Sequence, residues 1–273
     1  MSGSSQIKVG VNGVLGRMGS TVLAAVANDP DTIAVGGADA AAQSSTVAHP
    51  VTGEALPLHS DLADFIAAVQ PDVIVDFSNA EGGRNTFQVC APAGVAVVSG
   101  STGLSDADME EAGQLASQHS VGIISASNFA LGAVLLGYLA GVASQYFDYA
   151  DLLESHHEAK VDAPSGTALS IAQAMAEGRQ RRFSQNVAEE QTLADTRGGD
   201  FEGINVHSAR MPGRVARHEV VFGGTGQTLT MIHDSINRES FMPGVLLAVK
   251  RVVTLDGLMV GLDRVLGLDK LKP

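Results

Sequence analysis

The stretch that decides the fold of the first part of the chain is IKVGVNGVLGRMG, residues 7–19. A short apolar run is followed by Gly13, Gly16 and Gly19 and then by a helix-like sequence. Glycines between a strand and a helix allow a tight turn, and they let backbone N–H groups approach a pyrophosphate at the helix N-terminus. The pattern predicts a nucleotide-binding unit, although glycines that only allow tight packing of the helix on the strand would have the same spacing.

Asp39 supports the nucleotide-binding interpretation. It follows the next β-rich run, TIAVGGA (32–38), where a carboxylate accepts hydrogen bonds from ribose hydroxyls. No Lys or Arg occurs from Met18 to Gly83, so this region has no partner for the 2′-phosphate of NADPH, and a carboxylate repels that phosphate. We therefore expect NADH to be preferred, with NADPH possible because Arg17 can still reach the phosphate.

The order of apolar runs predicts two domains. Over residues 1–128 short apolar runs alternate with helix-like stretches, which is typical of an α/β fold with a Rossmann-type parallel sheet. From residue 129 to 240 the runs alternate apolar and polar residues, as in INVHSARM (204–211) and HEVVFGG (218–224). That pattern predicts a second α+β domain built on a mixed or antiparallel sheet.

Composition excludes several classes of partner. The net charge of −13 argues against nucleic acid and anionic membranes, which bind clustered basic residues. The tightest basic cluster, Arg179, Arg181 and Arg182, is expected to be a solvated helix end. A single cysteine, Cys90, favours a reducing compartment. No signal-peptide pattern is found, and the apolar run at 129–143 is shorter than the roughly 18 residues of a membrane span, so we expect a cytoplasmic protein.

A second motif, ESHHEAKVDAPSGTA (154–168), has three interpretations. It can be a metal site in which His156 and His157 act with Glu154 or Glu158. Adjacent histidines rarely point at one ion, however, and no HExxH motif or cysteine cluster is present, so we expect no metal. It can be an exposed polar loop with no function. It can also be a catalytic site in which an imidazole and an ammonium act on an anionic substrate.

The second half of this motif favours the catalytic interpretation. Pro164 ends any preceding helix, Ser165 is a good N-cap, and a helix-like sequence begins at Gly166. The first-turn N–H groups of Gly166 and Thr167 lie at the positive end of the helix dipole, which suits a carboxylate. Lys160 and a histidine beside it can donate a proton.

Two further stretches, GSTG (100–103) and ASNF (126–129), follow predicted strands. Their small, hydroxyl-bearing and amide groups lie at the carboxyl edge of the sheet and suit a nicotinamide carboxamide. Ordinary turn chemistry explains them equally well.

The string E-x-H-H-x-x-K-x-D-x-P-S-G-T-A at 154–168 resembles the signature of the dihydrodipicolinate reductase family, also called 4-hydroxy-tetrahydrodipicolinate reductases. The stretches VNGVLGRMG (11–19), DFS (76–78) and 218–249, together with GSTG and ASNF, are similar to the same family. The resemblance covers nearly the whole chain.

The resemblance implies an enzyme that reduces 4-hydroxy-tetrahydrodipicolinate, via dihydrodipicolinate, to tetrahydrodipicolinate with NAD(P)H, in the diaminopimelate route to lysine. It also implies a homotetramer built through the second domain, which would bind substrate over residues 129–240, while residues 241–273 complete the first domain. The implied catalytic residues are His156, a proton donor and acceptor, and Lys160, a proton donor. The implied substrate-binding residues are His157, Ser165, Gly166 and Thr167. The implied cofactor-binding residues are Gly13, Val14, Leu15, Gly16, Arg17, Met18, Asp39, Gly100, Ser101, Thr102, Ala126, Ser127, Asn128 and Phe129.

Two alternatives and one departure from the family pattern remain. The chain can be a related two-domain dehydrogenase, such as an aspartate dehydrogenase, or a regulatory protein that binds NAD(H) without turnover. The dense H-H-x-x-K and S-G-T cluster favours a reductase of a dicarboxylate over both. Family members that favour NADPH commonly carry a basic residue after the second strand, whereas here Asp39 is followed by Ala40.

Overall fold

The computed structural model describes residues 6–185, 190, 192–194 and 196–271. Its contacts divide the chain into two compact units. The first contains the residues up to Phe129 and Phe241–Gly267, and the second contains Ala130–Ser240 and the residues from Leu268. The last residues therefore group with the second unit, whereas the sequence analysis assigns everything after residue 240 to the first domain.

The strands in the described part of the chain are, in order, β1 (Ile7–Asn12), β2 (Thr32–Ala38), β3 (Thr46–Ala48), β4 (Ala55–His59), β5 (Val73–Asp76), β6 (Ala96–Ser99), β7 (Gly122–Ser125), β8 (Tyr149–His156), β9 (Gly199–Phe201), β10 (Ile204–Arg210), β11 (Ala216–Gly224), β12 (Gln227–Ser235) and β13 (Gly257–Val260). The α-helices there are α1 (Arg17–Asn28), α2 (Leu62–Val69), α3 (Ala80–Cys90), α4 (Asp106–His119), α5 (Leu131–Ala143), α6 (Gly166–Arg179), α7 (Met242–Val252) and α8 (Leu262–Val265). None of these helices is long and apolar enough to span a membrane.

The first unit is built on an eight-stranded sheet with the order β13-β7-β6-β5-β1-β2-β4-β3. Every pair in it is parallel except β3 with β4. Strands β5, β6 and β7 are buried at every position, as expected for parallel strands that are covered on both faces. The predicted Rossmann-type sheet is confirmed, although β3, β4 and β13 were not predicted.

The strand order places a topological switch point beside β1. The chain runs from β1 to β2 on one side and later returns to β5 on the other side. The loops that follow β1 and β5 therefore leave the sheet in opposite directions, and such divergence opens a crevice at the carboxyl edge, where open α/β sheets bind ligands. The glycine loop follows β1 and lies at this edge.

The second unit has a five-stranded mixed sheet with the order β12-β11-β8-β10-β9. Its central strand, β8, is parallel to β10 and antiparallel to β11. Helices α5 and α6 pack together, and their apolar residues share one core with the strands, including Leu136, Leu152, Ile171 and Phe222. The predicted second α+β domain on a mixed sheet is confirmed.

β8 was not predicted from the sequence. The strand alternates as a half-buried strand should, with Ala150, Leu152, Glu154 and His156 buried. Two of these four inward side chains are polar, so the alternation of hydrophobicity that signals a strand stops halfway along it. The residues from Glu154 onward therefore look like part of a polar segment before α6.

Candidate active site

The site in the second unit is built around Glu154, whose side chain is fully buried near the end of β8. Arg210 on β10 donates two hydrogen bonds to it, from Nη1 to Oε2 at 2.9 Å and from Nη2 to Oε1 at 2.8 Å. Nδ1 of His156 lies 2.5 Å from Oε2, and the backbone N–H of Ser165 donates to Oε1 at 3.3 Å. One carboxylate thus joins β8, β10 and the start of α6.

These contacts keep Glu154 ionised. Burial by itself raises the pKa of a carboxyl group, but the hydrogen bonds from His156 and Arg210 outweigh it and lower the pKa of Glu154 to about 2. At neutral pH the side chain is therefore a carboxylate that only accepts hydrogen bonds.

His218 on β11 contacts both Ser165 and His156. It is 1% exposed, its Nε2 lies 3.2 Å from the hydroxyl of Ser165, and its ring meets that of His156 edge-on at 5.3 Å between centroids. Burial, with a smaller effect of the neighbouring His156, lowers the pKa of His218 to about 4. His218 is therefore neutral at neutral pH and supports Ser165, whose hydroxyl caps α6 by accepting the N–H of Ala168 at 3.1 Å.

The loop after β8 carries the other predicted residues of this site. His157 is exposed, and Nζ of Lys160 lies 2.7 Å from Oδ1 of Asp162. The hydrogen bond from Lys160 lowers the pKa of Asp162, so the two side chains form an ion pair. At the start of α6, a Cβ added to Gly166 would meet no atom within 4 Å, while Thr167 is half-buried.

The glycine loop of the first unit is held by its own backbone. Gly13 has a φ of +75°, and the N–H groups of Gly13 and Val14 both donate to the carbonyl of Ala38, at 2.8 and 3.3 Å. A Cβ on Gly19 would overlap the carbonyl oxygen of Gly13, so the third glycine permits the close approach of α1. Arg17 and Met18 begin α1, where first-turn N–H groups lack partners within the helix.

Asp39 lies directly after β2 and forms a hydrogen bond with the glycine loop. Its Oδ2 accepts the N–H of Leu15, and its Oδ1 accepts that of Ala41, both at 2.9 Å. Its own N–H donates to the carbonyl of His59 at 2.9 Å. Each carboxylate oxygen has a lone pair beyond these bonds, which leaves acceptors for ribose hydroxyls.

Asp76, which is part of the DFS stretch but was given no role from the sequence, joins the loops at the carboxyl edge. It is fully buried at the end of β5. Nδ2 of Asn12 donates to it at 3.1 Å, and the hydroxyl of Ser101 donates to it at 2.6 Å. The side chain of Ser101 is thereby engaged within the protein, whereas Thr102 next to it is exposed.

Aromatic packing shapes the remaining two predicted loops. The rings of Phe77 and Phe129 lie 5.6 Å apart, and a Cβ on Gly100 would overlap the ring of Phe77. The N–H of Ala126 donates to the carbonyl of Ser99 at 3.0 Å. Phe129 is buried, while Ser127 is exposed and Asn128 is half-buried.

Arg210 and His218 were missed by the sequence analysis, and Glu154 was considered only as a metal ligand. Strand register explains why: Arg210 lies opposite His156, and His218 lies opposite Glu154. In the sequence, each is a polar residue within or beside an apolar strand pattern, and His218 is also the first residue of the stretch 218–249 that resembles the family. Within the described ranges, no group of three or more His, Cys, Asp or Glu side chains could hold a metal ion.

Comparison with known proteins identifies the family. Residues 7–129 match the family model for the dihydrodipicolinate reductase N-terminus, and residues 132–266 match that for the C-terminus. The chain belongs to the dihydrodipicolinate reductase family. It is 42% identical to the 4-hydroxy-tetrahydrodipicolinate reductase of Dehalococcoides mccartyi strain CBDB1, with 96% of this chain and 99% of the relative covered. It is 45% identical to that of Shouchella clausii strain KSM-K16, with 77% and 80% covered.

Solved structures agree. A dipicolinate-bound dihydrodipicolinate reductase from Paenisporosarcina sp. TG-14 has a TM-score of 0.84 and 34% identity, with 95% of this chain and 99% of that chain covered. An amine dehydrogenase from Mycobacterium smegmatis, with a TM-score of 0.67 and 16% identity over 95% of this chain and 96% of its own, shares the fold alone. The predicted family is confirmed, and with it an NAD(P)H-dependent oxidoreductase of lysine biosynthesis. The aspartate dehydrogenase and the non-catalytic NAD(H) sensor are not supported.

We expect mild acid to destabilise the protein through His218. Its folded pKa of about 4 lies below the ordinary value of 6.5, so between these values the unfolded chain binds the proton more tightly than the folded one. This contribution to stability is complete above pH 6.5 and falls by on the order of 3 kcal/mol as the pH decreases to 4. Urea unfolding at a series of pH values and one protein concentration measures it.

The His218→Gln variant should show a shallower decrease between pH 6.5 and 4, and His157→Gln, at an exposed position, is the matched control. Glu154 does not interfere, because its contribution is lost only as the pH falls from 4.5 towards about 2. An equally steep decrease in His218→Gln would show that another group is responsible.

Proposed function

We propose that this chain reduces 4-hydroxy-tetrahydrodipicolinate, via dihydrodipicolinate, to tetrahydrodipicolinate, with His156 and Lys160 as its proton-transferring residues. The observation that carries the proposal is the cluster around Glu154. A buried imidazole, an ammonium four residues later and a helix start with open space at Gly166 all belong to one short segment. A proton donor beside a carboxylate-binding helix start is what reduction of an unsaturated dicarboxylate requires.

The substrate carboxylates would be bound at two kinds of donor. One would lie at the start of α6, where Ser165 caps the helix and the N–H groups of Gly166 and Thr167 point along the dipole. The other would be bound by His157 and Lys160, which extend from the loop after β8. Lys160 is held by Asp162 at 2.7 Å, so substrate would compete with this carboxylate for the ammonium.

The protein's part in the chemistry is proton transfer. NAD(P)H, when bound, supplies the hydride that adds to the conjugated imine of the substrate. The ring then carries additional electron density that must be protonated. The ammonium of Lys160 would stabilise that charge and deliver the proton, while His156 would donate and accept protons beside it.

Variants of these two residues test the proposal directly. The assay is NADH oxidation with the freshly generated product of aspartate semialdehyde and pyruvate condensation. His156→Ala and Lys160→Ala should each lower kcat by roughly 10²–10⁴-fold, as for a lost general acid, with little change in NADH affinity. Lys8→Ala, an exposed lysine on β1, is the control. Wild-type protein without turnover would refute the proposed function, and variants that lose NADH binding would refute the proposed roles.

The cofactor would be bound in the first unit at the predicted glycine loop and strand ends. The first-turn N–H groups of Arg17 and Met18 suit a pyrophosphate, and the carboxylate of Asp39 is already fixed in place by Leu15 and Ala41. Since the neighbouring Ala40 is exposed and uncharged, we propose that NADH is preferred over NADPH.

Cofactor preference is measured as the ratio of kcat/KM for NADH to that for NADPH. The wild-type ratio should exceed one, because Asp39 repels a 2′-phosphate. The double variant Asp39→Ser with Ala40→Arg should move the ratio towards NADPH. Ala40→Arg alone is the control, since it adds the cation and keeps the carboxylate. A tenfold preference of the wild-type protein for NADPH would show that the interpretation of Asp39 is wrong.

We also propose a cytoplasmic homotetramer that assembles through the sheet of the second unit. Helices α5 and α6 share a core with one face of this sheet. On the other face, Leu153 on β8 and Ile232 on β12 are 41% and 51% exposed. Both pair with Glu219 on β11, the strand that lies between β8 and β12. Exposed aliphatic side chains on a sheet face suit an interface between subunits. The reducing cytoplasm agrees with the single, buried Cys90.

Sedimentation equilibrium tests the assembly. The wild-type protein should have about four times the 28.1 kDa mass of one chain, and Ile232→Lys should lower that mass by placing a charge in an apolar interface. Tyr146→Lys, at a residue 78% exposed outside the sheet, should leave the mass unchanged. A monomeric wild-type protein would refute the proposal.

A further inference from the structure

We propose that Glu154 and Arg210 are positioning residues that keep the proton of His156 on Nδ1, so that Nε2 is the nitrogen that exchanges protons with the substrate. The inference rests on the proposed role of His156. It assigns a purpose to the buried ion pair at the end of β8, which neither the family signature nor the proton-transfer chemistry by itself explains.

The contact between Glu154 and His156 decides which ring nitrogen carries the proton. The carboxylate of Glu154 is fully buried and ionised, and a carboxylate can only accept hydrogen bonds. The 2.5 Å contact between its Oε2 and Nδ1 of His156 is therefore a hydrogen bond in which Nδ1 is the donor. A histidine with its proton held on Nδ1 presents Nε2 to its reaction partner.

Arg210 fixes the orientation of the Glu154 carboxylate. Arg210 contacts both oxygens of Glu154 with two N–H groups, and such a bidentate pair fixes the carboxylate plane as well as its position. Arg210 is itself anchored by bonds to the carbonyls of Ala209 at 2.7 Å and Asp162 at 2.6 Å. A lysine at this position could supply the charge but not the planar, two-pronged geometry.

The ring of His156 is held by contacts on several sides. Its Nδ1 side is held by Glu154, and the ring of His218 packs edge-on against it. The carbonyl of His156 accepts the N–H of Met211 at 3.0 Å, which fixes the backbone at the end of β8. Its side chain is 9% exposed, so the ring is packed on most sides. With Nδ1 engaged, proton exchange is left to Nε2.

Removal of the charge of Glu154 should therefore act on turnover rather than on substrate capture. In Glu154→Gln the amide can donate to Nδ1 as well as accept from it, so the tautomer is no longer fixed. We expect kcat to fall about 10²-fold, which is the scale of an impaired general acid. KM for the substrate and the affinity for NADH should each change by less than threefold, which corresponds to a change in binding free energy below about 0.7 kcal/mol. Arg210→Lys should lower kcat in the same direction but less.

Nitrogen NMR of histidine-labelled protein without substrate is the decisive measurement, because a merely structural ion pair would not control the tautomer. At neutral pH the wild-type spectrum should show His156 with its proton on Nδ1 bonded to Glu154, assigned by its loss in His156→Gln. In Glu154→Gln this signal should shift or divide between the two tautomers. Arg182→Gln, which breaks the exposed Arg182–Asp200 pair in the same unit, is the control for loss of an ion pair and should leave the spectrum and kcat unchanged.

The outcomes separate the inference from the proposed function. A wild-type His156 that lacks the proton on Nδ1 would overturn the inference, whatever the activity and even if Glu154→Gln does not fold. A Glu154→Gln variant with wild-type kcat, under conditions in which His156→Ala is impaired, would also overturn it. Wild-type protein with the Nδ1 proton but no turnover would refute the proposed function alone.

Discussion

The buried carboxylate of Glu154 is the constraint on which the second unit's site depends. A carboxylate removed from water costs several kcal/mol unless it is paired, and removal of one partner of a buried pair typically costs about 3–5 kcal/mol. For Glu154, the hydrogen bonds from Arg210, His156 and the N–H of Ser165 offset this cost of desolvation. Because these partners come from β8, β10 and the start of α6, the electrostatic requirement of one side chain fixes the geometry of three segments. The site is therefore held in place before any ligand binds, which is how protein dipoles and charges contribute most to catalysis.

The first unit uses carboxylates in a related way, but with neutral donors. Asp39 accepts two backbone N–H groups, and buried Asp76 is satisfied by side chains such as Asn12 and Ser101. Asp39 follows β2 and Asp76 ends β5, the two parallel strands that flank β1, at the edge where the ligand crevice of an open α/β sheet is expected. In the glycine loop, the N–H groups of Gly13 and Val14 donate to the carbonyl of Ala38. The first-turn N–H groups of α1, which follow them, have no partners within the helix and suit an anion.

Sequence patterns predicted the structure correctly where neighbouring residues alone decide the backbone conformation. The turn between β1 and α1 follows from the conformational freedom of Gly13, and the start of α6 follows from Pro164 and the N-cap Ser165. The family signature indicated the oxidoreductase class because its residue types are consecutive in sequence. The same reasoning missed β8, since a strand whose inward residues include Glu154 and His156 does not show apolar alternation along its whole length.

The sequence by itself determined the two sheet classes, the glycine loop with Asp39, the capped start of α6 and the residue types to which the proposed chemistry is assigned. Only the tertiary structure decided which distant residues complete the site. Arg210 lies 56 positions from Glu154 in the chain, and His218 lies 53 positions from Ser165, yet each pair is in hydrogen-bond contact. Strand register makes these contacts, and register depends on how a whole sheet face packs against α5 and α6. A shift of one residue would turn Arg210 and His218 to the opposite face, so their roles are properties of the packed sheet rather than of any short motif.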